Sequence, residues 1–354
     1  MNIVTLSIMQ YNMQSELPEY IDSTSPLMPT DMSMVLTVHL PVSSPFWRRY
    51  ADSALLTGDP HPDVSNLIHA RPTAIFGNPS DPVAFNIGNG GAGQSGILKL
   101  LCEAFIAGQG GGFRIAWISN HSRHTQIALL GDVVQVGLTY EPEYEDLALS
   151  EGWAERKSHV FNDHFILAGP ESNPANVKPG SKIKEALSDI AVAGGRSRSQ
   201  GEPRVLFHTR GDGSATFYKE LELWSSARID LSTTSSWRKR VPGTPYEALL
   251  QADKDGVYLF SDRATYLTAK RDGALHSTRV YVEEGQQLLN PCSALVNTKA
   301  PCNLLAHEFA TWLGRDDVQG LVRDYGRAWL INTPVFSTAA QKDINGVDRL
   351  MARL

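Results

Sequence analysis

Apolar positions along this chain fall into two regimes. From Val83 onward, short apolar runs alternate with segments of helical spacing. Val83–Ile87 reads as a strand, and Ile97, Leu98, Leu101, Ala104 and Phe105 then recur as on one face of a helix. The glycine-rich stretch from Gly108 to Gly112 ends that helix. Arg114–Ser119 and Val133–Thr139 are the next strands, Phe165–Ala168 runs into Gly169-Pro170, and Val205–Phe207 leads into a polar turn. Phe217, Leu221 and Trp224 mark a helix face. Gly256–Phe260, Arg279–Val282 and Ala294–Val296 are later strands, and Leu305, Phe309, Trp312 and Leu313 mark a C-terminal helix. Strands alternating with helices predict an α/β fold.

Residues 1–82 lack that order. They hold half of the 20 prolines and six of the seven methionines, and little beyond Val35–Leu40 suggests a strand. An irregular N-terminal extension is predicted there.

At 354 residues, with 42% apolar and 20% charged positions, the chain is long enough for two lobes with ample core. Its net charge of −6 argues against nucleic acid or an acidic membrane surface as the main partner. Any bound anion must therefore be held by local groups. No apolar run is long enough to span a bilayer. The start, Met1–Met9, has no basic region and only an interrupted apolar stretch, so it makes a poor secretory signal. Three scattered cysteines form no disulfide framework: Cys292 and Cys302 leave one pairing open, and Cys102 reads as a buried thiol in a helix.

Two glycine- and hydroxyl-rich turns carry the chemistry: Gly88–Gly96 and His208–Thr216. Each follows a strand-like run and opens a helix-like one. A helix start has unpaired N–H groups and a partial positive charge, so it can hold an anion. The first turn also fits the dinucleotide fingerprint at Gly88, Gly90 and Gly93, with Arg123 after the next strand for a 2′-phosphate; an NADP-dependent oxidoreductase is therefore an alternative. It is not a phosphate-binding loop of the nucleotide hydrolases, because Gln94 replaces the lysine, nor a nucleophile elbow, because Ile97 replaces the second glycine after Ser95. In the second turn, Ser214 is placed to cap the following helix, and Arg210 offers a forked donor that matches two oxygens of an oxyanion. Asp212 could orient Arg210. His121, His124 and His208 lack a fourth partner for a metal, and Asp262 with Arg263 reads most simply as an ion pair at the surface or a hinge.

Beyond these turns, several segments together resemble the tungstate-binding solute receptors of ABC importers, within the two-lobed periplasmic binding proteins. The matching stretches are Asn162–Pro170, Thr209–Thr216 with Lys219–Trp224, Ser261–Tyr266 and Leu289–Pro291; Gly131-Asp132 followed by Tyr140–Pro142 is also similar. Order and spacing agree over residues 85–345. The resemblance implies a type II clamshell, each lobe a mixed sheet flanked by helices, with the ligand cleft between them. Lobe I would hold 83–165 and 280–354, lobe II 166–279, and the chain would cross near Phe165 and Val280. The implied activity is non-enzymatic binding of a tetrahedral oxyanion, tungstate with molybdate as a second ligand. The implied partner is a membrane ABC permease and the implied location extracytoplasmic, against the weak signal. No cofactor, no metal, no nucleic acid and a monomeric chain are expected.

Residue by residue, the resemblance puts Arg210, Ser214 and Thr216 on the family's arginine, serine and threonine, and Ser95 on a hydroxyl at the lobe I helix start. The family's hydroxyl run before that helix is here Gly88-Asn89-Gly90-Gly91, so N–H groups of Asn89, Gly90 and Gly91 would replace lost hydroxyls. The family's second loop falls on Asn120-His121-Ser122, which adds His121 and Ser122 as candidates. A phosphate receptor is the near rival; monoprotonated phosphate also needs an acceptor, for which Asp212 is the obvious residue.

Overall fold

One long strand decides the architecture. β5, Ala154–Pro170, is buried without interruption from Val160 to Pro170, the pattern of a strand covered on both faces. The structure, a computed structural model, describes residues 44–49, 68–196, 206–234, 236–283, 285–329 and 334–340 of the 354. In its first part β5 runs antiparallel to β10 (Leu289–Asn297), as far as the pair His164 and Leu289. From Phe165 onward it pairs instead with β8 (Tyr258–Asp262) and then with β9 (Thr278–Val282).

Two sheets are thereby joined through one strand. The first runs β1 (Ala74–Phe76), β3 (Arg114–Ser119), β2 (Val83–Asn89), β4 (Val136–Thr139), β10, β5; β2 is parallel to both β3 and β4, and β1 and β10 are antiparallel to their neighbours. A short β11 (Ser337–Thr338) adds to β5. The second sheet continues from β5 through β8 to β6 (Phe207–Thr209) and β7 (Arg238–Arg240), the last three parallel. This is the mixed, two-lobed clamshell that the resemblance implies.

Helices cover both sheets. On the first lobe these are α1 (Gly91–Ser95), α2 (Ile97–Gly108), α3 (Ser122–Leu130), α4 (Pro142–Ser150), α9 (Leu304–Trp312) and α10 (Asp316–Asp324). On the second, α5 (Ile183–Arg196) and α6 (Ala215–Ser226) enclose a core built on Phe165, Phe207, Trp224, Trp237 and Tyr258. α7 (Pro245–Asp255) and α8 (Arg263–Arg271) pack Leu249, Ala252, Tyr266 and Leu267 against β5 and β8, in a core that continues through Ile166 and Ala168 of β5 to Phe105, Phe113 and Phe309 of the first lobe. Full burial of a side chain such as Phe105 or Leu249 stabilises the fold by about 2 kcal/mol before entropy is counted.

Two expectations need correction, and one pairing that the sequence leaves open is decided. Residues 1–82 are not irregular throughout: Ala74–Phe76 forms the edge strand β1 on β3, Ile68 is buried, and a helical turn at 45–49 plants Phe46 edge-on against Tyr144 and Trp153, at 5.7 and 5.1 Å. Apolar residues isolated in a proline-rich stretch show no period, yet they fill gaps in a core built by the rest of the chain. Val35–Leu40 lies outside the described residues. Cys292 and Cys302 do not pair: Cys292 is buried in β10, Cys302 is exposed, and both are free. Finally, Asp262 and Arg263 are neither at the surface nor paired with each other. Asp262 caps α8 by accepting from the Thr265 N–H at 2.7 Å, and Arg263, fully buried, pairs with Glu283 at 2.8 Å.

Candidate functional site

Four helices begin at one cleft. The N-cap residues of α3, α6, α7 and α8 are His121, Ser214, Thr244 and Asp262, and all four line a cavity of about 570 Å³ between the lobes. Each start brings unpaired N–H groups and the positive end of a helix dipole. The sequence explains three of the starts, while His121 gives α3 no side-chain cap. Ser214 accepts from Phe217 N, Thr244 and Glu247 form a reciprocal capping box with Pro245 in the first turn, and Asp262 accepts from Thr265 N.

The second turn supplies the charge. Gly211 and Gly213 take φ of +61° and +69°, which lets the chain curl back on itself at a cost other residues would find strained. Arg210, nearly buried, donates from Nε and Nη2 to Asp212 Oδ2 at 2.8 and 2.5 Å, and from Nη2 to Ser214 Oγ at 2.6 Å. The other Asp212 oxygen accepts from Ser214 N and Oγ at 3.1 and 2.7 Å. Burial works to raise the Asp212 pKa, but the Arg210 guanidinium and the Ser214 donors together hold it below the ordinary carboxylate value. Asp212 therefore stays ionised and orients Arg210.

The first turn is built differently from expectation. Gly90 and Gly91 line the cleft, whereas Asn89 and Ser95 do not. Asn89 is fully buried; its Nδ2 donates to Leu138 O and its Oδ1 accepts from Gly93 N, so the side chain ties the turn to β4. The Ser95 hydroxyl donates to Ala92 O at 2.9 Å, and its carbonyl accepts from the Tyr325 hydroxyl. A five-residue helix intervenes before α2, so the serine that the resemblance placed at a helix start lies at the end of a turn. Gly93 is a packing glycine: a Cβ there would lie 2.0 Å from the Trp117 ring.

Of the other sequence-derived candidates, His121, Ser122, Arg210, Ser214 and Thr216 share the cleft wall. Ser122 Oγ accepts from Tyr140 N at 3.1 Å, which leaves its proton free to donate. Both His121 ring nitrogens are shielded from solvent and meet no hydrogen-bond partner, and the ring stacks 3.5 Å from His124. Burial first, then the cations Arg123 and Arg210, push the His121 pKa down to about 3. His208 does not line the cleft; it sits 3.8 Å from Asp255.

Sequence reasoning missed several lining residues: His69, Gln94, Tyr140, Asp163, Thr244 and Asn290. Thr244-Pro245-Tyr246-Glu247 was detectable, because a threonine three residues before a glutamate, with proline between, signals a helix start. His69 was not; it is placed by paired hydrogen bonds between its backbone and the Asn120 side chain, both 2.8 Å. Asp163 sits beside Asp262, its Oδ1 accepting from His164 N and from Ala264 N in the first turn of α8, at 2.7 and 3.3 Å. Burial above all, with Asp262 beside it, raises Asp163 well above the carboxylate range. Among the described residues no group of three histidine, cysteine or acidic side chains is arranged to hold a metal ion.

The dinucleotide alternative loses its phosphate ligand. Arg123 is buried, paired with Glu141 at 2.8 Å, and held between the Tyr144 and Tyr218 rings at 4.1 and 3.3 Å. The one nitrogen without a partner, Nη1, is shielded from solvent, so no N–H edge is open to a 2′-phosphate.

A family model described as a PBP superfamily domain matches residues 77–317. The tungstate-binding protein TupA of Peptoclostridium acidaminophilum is 30% identical over 204 residues, 56% of this chain and 66% of that protein, so the match spans just under two thirds of this relative. A periplasmic protein solved as a candidate metal-binding protein is 32% identical, with a TM-score of 0.66, over 76% of this chain and 99% of that one. The structure of the tungstate ABC transporter from Geobacter sulfurreducens has a TM-score of 0.58 at 24% identity, over 70% of this chain and 100% of that one; this is a likeness of fold.

Proposed function

The chain belongs to the PBP superfamily, and we propose that it is a receptor whose lobes close around a tetrahedral oxyanion of the tungstate and molybdate class. The observation that carries this reading is the convergence of the α3, α6 and α7 starts, from both lobes, on the cleft that holds Arg210. An anion taken out of water must recover many hydrogen bonds. Helix-start N–H groups, the Ser122 and Thr216 hydroxyls and the Gly90–Gly91 backbone offer the donors that a fully ionised oxyanion requires, while Ser214 spends its N–H and hydroxyl on Asp212. Asp212, the acceptor that phosphate would need, is already engaged by Arg210 and Ser214.

The functional units in this reading are 83–165 with 280–354, and 166–279, hinged where β5 changes partners and where the chain returns near Val280. The receptor acts as a monomer, outside the cytoplasm, and delivers its anion to a membrane ABC permease. It performs no chemistry on the ligand and needs no cofactor.

Calorimetric titration with tungstate, molybdate, sulfate, phosphate and NADPH tests the reading. Tight binding of tungstate or molybdate, weak or no binding of the others, and a weakened tungstate response in Thr216→Val are expected. Phosphate as the tightest ligand would make this a phosphate receptor. NADPH binding without any oxyanion response would overturn the reading altogether.

A further inference from the structure

Charge in the cleft does not balance for a doubly charged ligand. Arg210 is already neutralised by Asp212. The Asp163–Asp262 pair adds carboxyl character from β5 and β8, and no lysine is found among the described lining residues. The donors at hand are therefore dipoles, with one compensated cation. Facing them is His121, whose two ring nitrogens are both shielded and both without a partner. A neutral imidazole has one donor and one acceptor, so it offers an anion a single N–H and no charge. Imidazolium has two donors.

We propose that His121 is the second cation of this site: it takes up a proton together with a doubly charged oxyanion and gives it up on release. The proposal rests on the oxyanion reading and goes beyond it by making affinity pH-dependent and selective for dianions. In the empty cleft the ring is neutral at pH 7, because burial, then Arg123, Arg210 and His69, hold its pKa at about 3. Arg123, Arg210 and His69 act on the ring electrostatically, His124 lies 3.5 Å from it, and Asp212, Asp163 and Asp262 line the same cleft. Protonation at pH 7 needs its proton affinity to rise by a factor of about 10⁴. Two negative charges about 4 Å away, in a medium of effective dielectric about 20, supply a factor of about 10⁵ or more. The sign follows: above pH 3 the free ring is neutral while the complex is protonated, so affinity falls as pH rises.

Tungstate titration calorimetry between pH 6.5 and 8, each pH run in Pipes and in Tris, measures this directly. Wild-type protein should bind about tenfold more weakly for each unit of pH, with about one proton taken up, read from the heat difference between the two buffers. His121→Asn should bind more weakly at pH 6.5 and lose both the slope and the proton. His69→Asn and Asp163→Asn should keep them. A flat wild-type profile with no proton uptake overturns the proposal while leaving the oxyanion site intact, and so does a slope that survives His121→Asn. If no oxyanion binds wild-type protein at any pH, the oxyanion reading and this proposal both fail. The wild-type arm needs no variant to fold.

Discussion

The turn from Thr209 to Thr216 reaches the cleft with a guanidinium, hydroxyls and a carboxylate already joined in one network, whereas the turn from Gly88 to Gly96 reaches it with two glycines and Gln94. On the lobe II side, side chains are fixed before any ligand arrives: Asp212 holds Arg210, Ser214 joins both, and α6 is capped by the same serine. On the lobe I side, the polar side chains of the turn itself point inward, Asn89 to β4 and Ser95 to its own turn. The turn offers the cleft its Gly90–Gly91 backbone and Gln94, supplemented by Ser122 and His121 from the neighbouring helix start. On the oxyanion reading, the contrast teaches that such a site can combine a preorganised ionic half with a half built largely from backbone dipoles. Mutation should damage the first through lost contacts and the second through lost packing.

Arg210→Ala should have the largest effect on binding. Removing a buried charge-assisted donor and leaving Asp212 unpaired should weaken tungstate binding by at least about 100-fold, ~3 kcal/mol. Calorimetry reads this, and wild-type affinity in the variant would put the anion elsewhere. Gly93→Ala tests the other half. Its methyl would collide with Trp117, so urea unfolding should show a loss of about 2 kcal/mol, while Gly91→Ala, with open space around it, should change stability by less than about 0.5 kcal/mol. Equal stability of the two variants would mean that the first turn is not held by packing. Ser214→Ala should cost about 1 kcal/mol of stability through the lost cap on α6, seen as an earlier urea midpoint. The smallest effect belongs to the contact between the lobes: Tyr218 of α6 lies on Arg123 of α3 at 3.3 Å. Tyr218→Leu should speed tungstate release about threefold in stopped-flow fluorescence; unchanged release would mean that this contact does not bias closure.

The α/β alternation, the strands from Val83 onward and the second turn were legible in the sequence, because each depends on local spacing. Period-two and period-3.6 patterns, a serine before a helical face and glycines at positive φ are properties of a few consecutive residues. The resemblance extended this to the clamshell, and Arg210, Ser214 and Thr216, which it named, line the cleft. It misled at Ser95, because nothing in Gly93-Gln94-Ser95-Gly96 announces that a short helix ends there before α2 begins.

What only the tertiary structure decided is which polar groups meet. His69, Asp163, Thr244 and Asn290 come from four separate segments and share one wall only after β5 has joined the sheets. Arg123 looked free to hold a phosphate, but it is claimed by Glu141 and two tyrosines, one of them about 95 residues away (Tyr218). Local spacing determines elements and their caps because those forces act over a turn or two. The site is set by long-range packing, which decides whether a side chain spends its hydrogen bonds on its own fold or keeps them for a ligand.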